Sequence, residues 1–252
     1  NVRLHNANWL RDDMAVLFVV NHFTRLETML LPYFILRETG REVWSLAAAE
    51  LFKGRVGQFL ESTGTISTKA PHRDTTIVKS LLRGDHPWII FPEGAMIKDK
   101  KVINHEGEFA VYNDGTRRAP HTGAAVLALR AEYYRHKIDC MYNRPGQPDL
   151  QRALDLFGLE NAEEALGKRT VIVPVNITYY PIRAHDNVFL RIAERLAEDL
   201  SPRAMDELSM EGTVLAEDTD IDVTLGEPID VASYLNRAEY ASVMACGLND
   251  LE

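Results

Sequence analysis

From Met14 to Val20 every residue is apolar, a run of strand length that needs cover on both faces. Apolar positions then recur at helical spacing over 27–37. The two textures keep alternating through strand 43–48, helix 54–62, a short strand 64–68, helix 73–83, and strand 88–91, which is closed by Pro92 and Gly94. Further on, 123–134 reads as a long apolar helix and 170–179 as a strand whose internal Pro174 predicts an edge position or a bulge. An amphipathic helix over 188–200, the alternation Ile221, Val223, Leu225, and a helix around 234–244 complete the pattern. Strands separated by helices in this way predict an α/β protein with a mixed, mostly parallel sheet flanked by helices. Ligands are then expected at the C-terminal ends of the strands.

The rhythm breaks over 135–168, where Asn143-Arg-Pro-Gly-Gln-Pro148 precedes a helix-like stretch at 150–157. The expected organisation is therefore a single domain over 1–252 with an insertion at 135–168. The 252 residues are ample for a packed core, and a composition of 46% hydrophobic and 26% charged residues excludes fibrous and disordered classes. The longest apolar runs, 14–20 and 29–36, fall short of the roughly 20 residues that a membrane-spanning helix needs. The chain has no initiator Met, and its closing Leu251-Glu252 reads as a cloning remnant, so it is expected to be a trimmed piece of a longer protein.

The net charge of −9 is unevenly spread. Residues 1–148 carry 20 Lys and Arg against 16 Asp and Glu, whereas 149–252 carry 8 against 21. An acidic total disfavours nucleic-acid binding, and the mildly basic front half suits a phosphorylated small molecule or an anionic membrane surface. Two cysteines, Cys140 and Cys246, make no CxxC pair. They are too few for a disulfide framework and lack the spacing of a structural zinc site, which predicts reduced thiols and a cytoplasmic location.

Directly after the first strong strand comes Asn21-His22-Phe23-Thr24-Arg25-Leu26-Glu27. On one regular helix, five positions would put His22 and Glu27 about 140° apart, so they could not meet. His22 must lie in the loop, with Glu27 in the first turn of the following helix. There the carboxylate can hold one imidazole nitrogen, fix its tautomer and raise its basicity, leaving the other nitrogen to take a proton from an alcohol. No GxSxG accompanies the pair, so the attacking oxygen would come from a substrate. Two other readings stay open: Thr24-x-x-Glu27 is also a capping box, and His-x4-Glu suits a metal, although no third ligand follows at a sensible spacing.

A second block, Ile89-Ile-Phe91-Pro92-Glu93-Gly94, ends a strand in a carboxylate and a glycine 71 residues after His22. Together with the Gly64 segment between the blocks and Ile172-Val-Pro174-Val-Asn-Ile-Thr beyond them, this order resembles the glycerolipid acyltransferase (PlsC-like) superfamily. That family shows NHxxxxD, a Gly-x5-Arg segment, FPEGTRS and a late VPV strand. The likeness extends through 123–128 and 223–229 and covers most of the chain outside 135–168. Three blocks depart from the family pattern. Glu27 stands where Asp is usual, as in the related lipid A acyltransferases. Ala95-Met96-Ile97 replaces the hydroxyls and arginine after FPEG. Lys69 and Arg73 follow Gly64 at five and nine positions rather than at six.

The resemblance implies a glycerol-3-phosphate acyltransferase-like αβ fold and transfer of a fatty acyl group from a thioester donor, acyl-CoA or acyl-carrier protein, to a hydroxyl of a lysophospholipid or glycerol phosphate. It implies His22 as general base with Glu27, and Glu93 and Gly94 as the acceptor-side wall, with no metal or organic cofactor. Lys69, Arg73 and Lys98 are candidates for an acceptor phosphate. The implied partners are the donor and a lipid acceptor at the inner membrane face, with peripheral contact and no nucleic acid. The apolar stretch 29–36 would line the acyl groove. Two alternatives remain, a non-phosphate lipid acceptor and a catalytically inactive lipid-binding relative.

Overall fold

The structure of the protein, a computed structural model, describes residues 2–22, 26–52, 54–94, 111–113, 116–144, 149–180 and 220–235. The sheet strands are β1 (Val2–His5), β2 (Met14–Val20), β3 (Trp44–Ala47), β4 (Thr65–Ser67) and β5 (Trp88–Ile90), followed, after the separate hairpin β6 (Val111–Asn113) and β7 (Thr116–Arg118), by β8 (Arg169–Tyr180), β9 (Asp220–Leu225) and β10 (Ile229–Asp230). The helices are α1 (Leu26–Thr39), α2 (Gly54–Ser62), α3 (Arg73–Arg83), α4 (Gly123–Tyr142), α5 (Asp149–Phe157) and α6 (Ala162–Leu166). The main sheet runs β1-β9-β8-β2-β5-β3-β4, with β10 pairing β8. Its pairs are parallel except β8 with β9 and β8 with β10, so the sheet is mixed and mostly parallel.

β2 is apolar throughout because it lies mid-sheet with helices on both faces. Met14, Val16, Phe18 and Val20 pack with Leu31 and Ile35 of α1 and with the inward stripe of β8. Ala15 and Leu17 face the other way, onto α3 and α4 through Ile77, Leu81, Leu127 and Ala131. β2 and β5 are parallel neighbours, with Leu17 opposite Trp88, so the chain leaves both at the same edge of the sheet.

Three expectations change. β8 is an interior strand, between β2 on one side and β9 and β10 on the other, and is not an edge. Pro174 is tolerated because it falls between the two stretches, 171–172 and 175–180, that pair with β10 and β9. In that gap its carbonyl still accepts from Gly226 N–H at 2.7 Å, and no ladder bond requires the missing proline N–H. Second, the helix expected over 123–134 continues to Tyr142, since Ile138 and Met141 extend its buried stripe. Its polar Arg135 is buried with work to do: it donates to the carbonyls of Leu81 and Leu82 at the end of α3 and of Ala165 at the end of α6. Third, Cys140 is disulfide-bonded, whereas reduced thiols were expected.

Within 135–168, α5 and α6 follow the end of α4 and add Ala153, Leu154, Phe157, Ala162 and Ala165 to the larger core. The expected helix over 188–200 lies outside the described residues. So does most of that at 234–244; the described helix Ala232–Leu235 reaches only its first two positions. Among the described residues no helix is long and apolar enough to cross a membrane.

Candidate active site

β2 ends at Val20, and His22 sits in the loop that follows, with Glu27 in the first turn of α1, as the turn arithmetic requires. His22 Nδ1 and Glu27 Oε2 are 2.9 Å apart. The carboxylate side chain is 1% exposed and the imidazole 16%. A carboxylate at Nδ1 favours the tautomer with its proton there, leaving Nε2 as an acceptor. The second oxygen, Glu27 Oε1, accepts a 2.8 Å bond from the Tyr179 hydroxyl of β8.

The turn after β5 supplies the other carboxylate. Gly94 N–H donates to Phe91 O at 3.1 Å, closing the turn Phe91-Pro92-Glu93-Gly94, and Gly94 takes φ +61°, a left-handed conformation that favours glycine. This turn points Glu93 toward β2, where its Oε2 accepts the backbone N–H of His22 at 2.6 Å. The Phe91 ring lies against the imidazole, with centroids 4.3 Å apart and planes at 31°. Burial pushes the Glu93 carboxyl above its ordinary range and the nearby Glu27 charge pushes it the same way, while the His22 backbone N–H and the imidazole pull it back in part.

Asn21 extends the sheet beyond the end of β2. Its side-chain oxygen accepts from Ile177 N–H at 2.7 Å and its side-chain nitrogen donates to Ile177 O at 3.0 Å, so the carboxamide replaces one peptide unit of the ladder. The structure thus gathers His22, Glu27, Glu93 and Gly94 at the ends of β2 and β5. Lys69 and Arg73 follow β4 at the same edge, but β4 is three strands from β2, roughly 14 Å away at the usual strand spacing. The Arg73 guanidinium is engaged locally, by Asp74 Oδ1 at 2.6 Å and by Thr68 O at 2.7 Å. Lys98 lies outside the described residues.

A cavity of about 550 Å³ runs beside α1, lined by Thr28, Pro32 and Leu36 of that helix, by Trp44 and Ile66 of β3 and β4, and by Leu60 of α2. From Thr28 to Leu36 the helix rises about 12 Å. Of the stretch expected to line a groove, Pro32, Tyr33 and Leu36 do so, whereas Leu31 and Ile35 are buried in the core. Gly64 borders the same cavity at φ +74°, where a Cβ would come within 2.6 Å of the Trp44 ring.

The sequence reading missed Tyr179 and Asn21. A signal for the first exists: the buried alternation Val171, Val173, Val175, Ile177 ends in an aromatic residue that carries a hydroxyl. No local pattern pairs it with Glu27, 152 residues earlier.

The fold and the site together define an α/β protein that carries a histidine–carboxylate pair at the carboxyl edge of a largely parallel sheet. The chain belongs to the acyltransferase family, whose sequence profile matches residues 1–178. The resemblance drawn from the four motif blocks is thereby borne out. No curated protein sequence matches the chain. Among solved structures, it is similar to the 1-acyl-sn-glycerophosphate acyltransferase PlsC of Thermotoga maritima at 12% identity. That match covers 97% of this chain and 67% of the other, with a TM-score of 0.38.

Proposed function

We propose that the protein is an O-acyltransferase that moves a fatty acyl group from acyl-CoA or acyl-carrier protein to a hydroxyl of a lysophospholipid or glycerol phosphate. The observation that carries this reading is the 2.9 Å contact between a partly exposed imidazole and a buried carboxylate at the ligand edge of an acyltransferase-family sheet. His22 Nε2 takes the proton of the acceptor hydroxyl as its oxygen attacks the thioester carbonyl carbon. The tetrahedral intermediate collapses, the carbon–sulfur bond breaks, and the imidazolium returns the proton to the leaving thiolate, giving an ester and a free thiol. Glu27 balances the imidazolium charge. General-base catalysis of this kind contributes roughly 10² to 10⁴ in rate, and positioning supplies much of the remainder.

The cavity beside α1 supports an apolar chain as part of the substrate, since its lining reaches Thr28, one residue beyond Glu27. Glu93, whose Oε2 holds the His22 backbone, and Gly94 form the acceptor-side wall. Lys69, which follows β4 on that edge, is a cation proposed to meet an acceptor phosphate. The engagement of Arg73 by Asp74 favours a second reading in which the acceptor carries no phosphate. Peripheral membrane contact at the inner face belongs to the same proposal and is supported by Tyr33 and Leu36, which line the cavity and are 57% and 41% exposed.

The test is thiol release from palmitoyl-CoA with lysophosphatidate or a non-phosphorylated monoacylglycerol as acceptor. Acceptor-dependent release that is lost in His22→Ala supports the reading, and the preferred acceptor separates its two forms. Equal rates for wild type and His22→Ala would remove it.

A further inference from the structure

The Glu27 carboxylate is deeply buried, and its two oxygens are held by different partners: Oε2 by His22 Nδ1 at 2.9 Å and Oε1 by the Tyr179 hydroxyl at 2.8 Å. An ionised carboxylate in such a place needs donors, and each donor on it narrows its swing about the last torsion. The direction in which Tyr179 bonds is therefore consequential. A donor on Oε1 leaves Oε2 aimed at the imidazole.

Tyr179 is itself held firmly. It ends the buried stripe of β8, and on one side residues 175–180 pair with β9. On the other side the backbone pairing with β2 stops at Val20 opposite Val175, and Asn21 takes over by bonding both the N–H and the C=O of Ile177. The strand that delivers the phenol is thus tied by the residue immediately before His22. The same loop that carries the imidazole fixes the strand that holds its carboxylate partner. A buried tyrosine hydroxyl usually finds some acceptor, and most such bonds only satisfy the phenol. Here the acceptor is the group that orients His22.

We infer that Tyr179 is a positioning residue for the His22–Glu27 pair: it holds Glu27 so that His22 keeps its proton on Nδ1 and presents Nε2 bare. The geometric part stands on the contacts alone, and the kinetic part rests on the acyl-transfer reading.

The test uses Tyr179→Phe, which keeps the ring and removes the hydroxyl, on the whole chain labelled with ¹⁵N-histidine. In wild type, His22 Nδ1 is expected to show a pyrrole-type ¹⁵N signal at neutral pH. In Tyr179→Phe that signal is expected to move toward the averaged position of mixed tautomers, with the melting temperature kept within a few degrees. With palmitoyl-CoA and lysophosphatidate, kcat is expected to fall roughly ten- to a hundredfold, as for loss of a hydrogen bond to a charged group, with KM for the donor within twofold. In a Glu27→Gln background the same change is expected to cost no further kcat, whereas a purely structural tyrosine would cost the same in both backgrounds. A pyridine-type Nδ1 in wild type overturns the inference without any variant. So does a Tyr179→Phe protein with unchanged Nδ1 signal and kcat. If wild type releases no thiol with any donor and acceptor, the acyl-transfer reading fails, and the ¹⁵N spectra alone decide the role of Tyr179.

Discussion

Replacing Glu27 by Gln tests the centre of the proposed chemistry with little disturbance of shape. The carboxamide fits the volume of the carboxylate in a site that is 2% exposed, so no cavity opens. Two orientations are available. With its oxygen on the Tyr179 hydroxyl, the amide presents N–H groups to His22 Nδ1, which must then be unprotonated, and the proton moves to the nitrogen that should receive one. With its oxygen on Nδ1 the tautomer survives. In either case the negative charge that balances the imidazolium is gone, in a place where water screens poorly. The expected loss is the contribution of general-base catalysis, about 10² to 10⁴ in kcat, or about 2.7 to 5.4 kcal/mol of barrier at 1.36 kcal/mol per decade. Stability should change little, because Gln keeps much of the capping ability of Glu and the exchange removes a buried charge. The assay is thiol release at saturating acyl-CoA, run beside a thermal melt of each protein. A Glu27→Gln enzyme within threefold of wild type, with His22→Ala inactive, would refute the pairing as a source of rate. A melting temperature that falls while kcat holds would assign Glu27 to the helix start alone.

Three further outcomes follow from other contacts. Because the folded pKa of Glu93 lies above its ordinary value of 4.5, the native state binds that proton more tightly than the unfolded chain does. Stability from Glu93 is then full below pH 4.5 and declines as pH rises through the raised folded value, so the melting-temperature advantage of Glu93→Gln over wild type should grow across that window. A difference independent of pH contradicts it. Arg135→Met should destabilise by about 3 to 5 kcal/mol, seen as a lower urea midpoint, because it strips donors from the carbonyls of Leu81, Leu82 and Ala165 and leaves Glu132 without its 3.2 Å partner. A midpoint equal to that of wild type contradicts it. In flotation with anionic liposomes the protein should rise with the lipid, and Tyr33→Asp with Leu36→Asp should lower the bound fraction; wild type that stays with the soluble fraction ends the membrane proposal.

Much of the fold follows from local patterns. The all-apolar β2 needs cover on both faces and receives it from α1 and from α3 with α4. The Pro92 and Gly94 that end the next apolar run make the turn that carries Glu93. The five-residue offset between His22 and Glu27 forces one into a loop and the other onto a helix start, which is where they lie. These inferences work because burial periodicity, turn chemistry and helical angle are properties of neighbouring residues.

Strand order is not such a property. Pro174 signalled an edge or a bulge; the edge is excluded, because β8 runs through the interior of the sheet and the break between β9 and β10 supplies the local relief that proline needs. Arg135 looked like the end of a helix until two other helix ends came within reach of its guanidinium. The two-residue β10 carries too few positions for alternation to show. The amino-acid order alone determined the alternation of strands and helices, the placing of His22 in a loop and Glu27 at a helix start, and the motif blocks of the acyltransferase family. The tertiary structure alone decided that β8 lies beside β2. That adjacency places the Tyr179 hydroxyl on Glu27 and Asn21 on Ile177, because contacts between residues some 150 apart depend on which strands pair, and pairing minimises the free energy of the whole sheet rather than of any one segment.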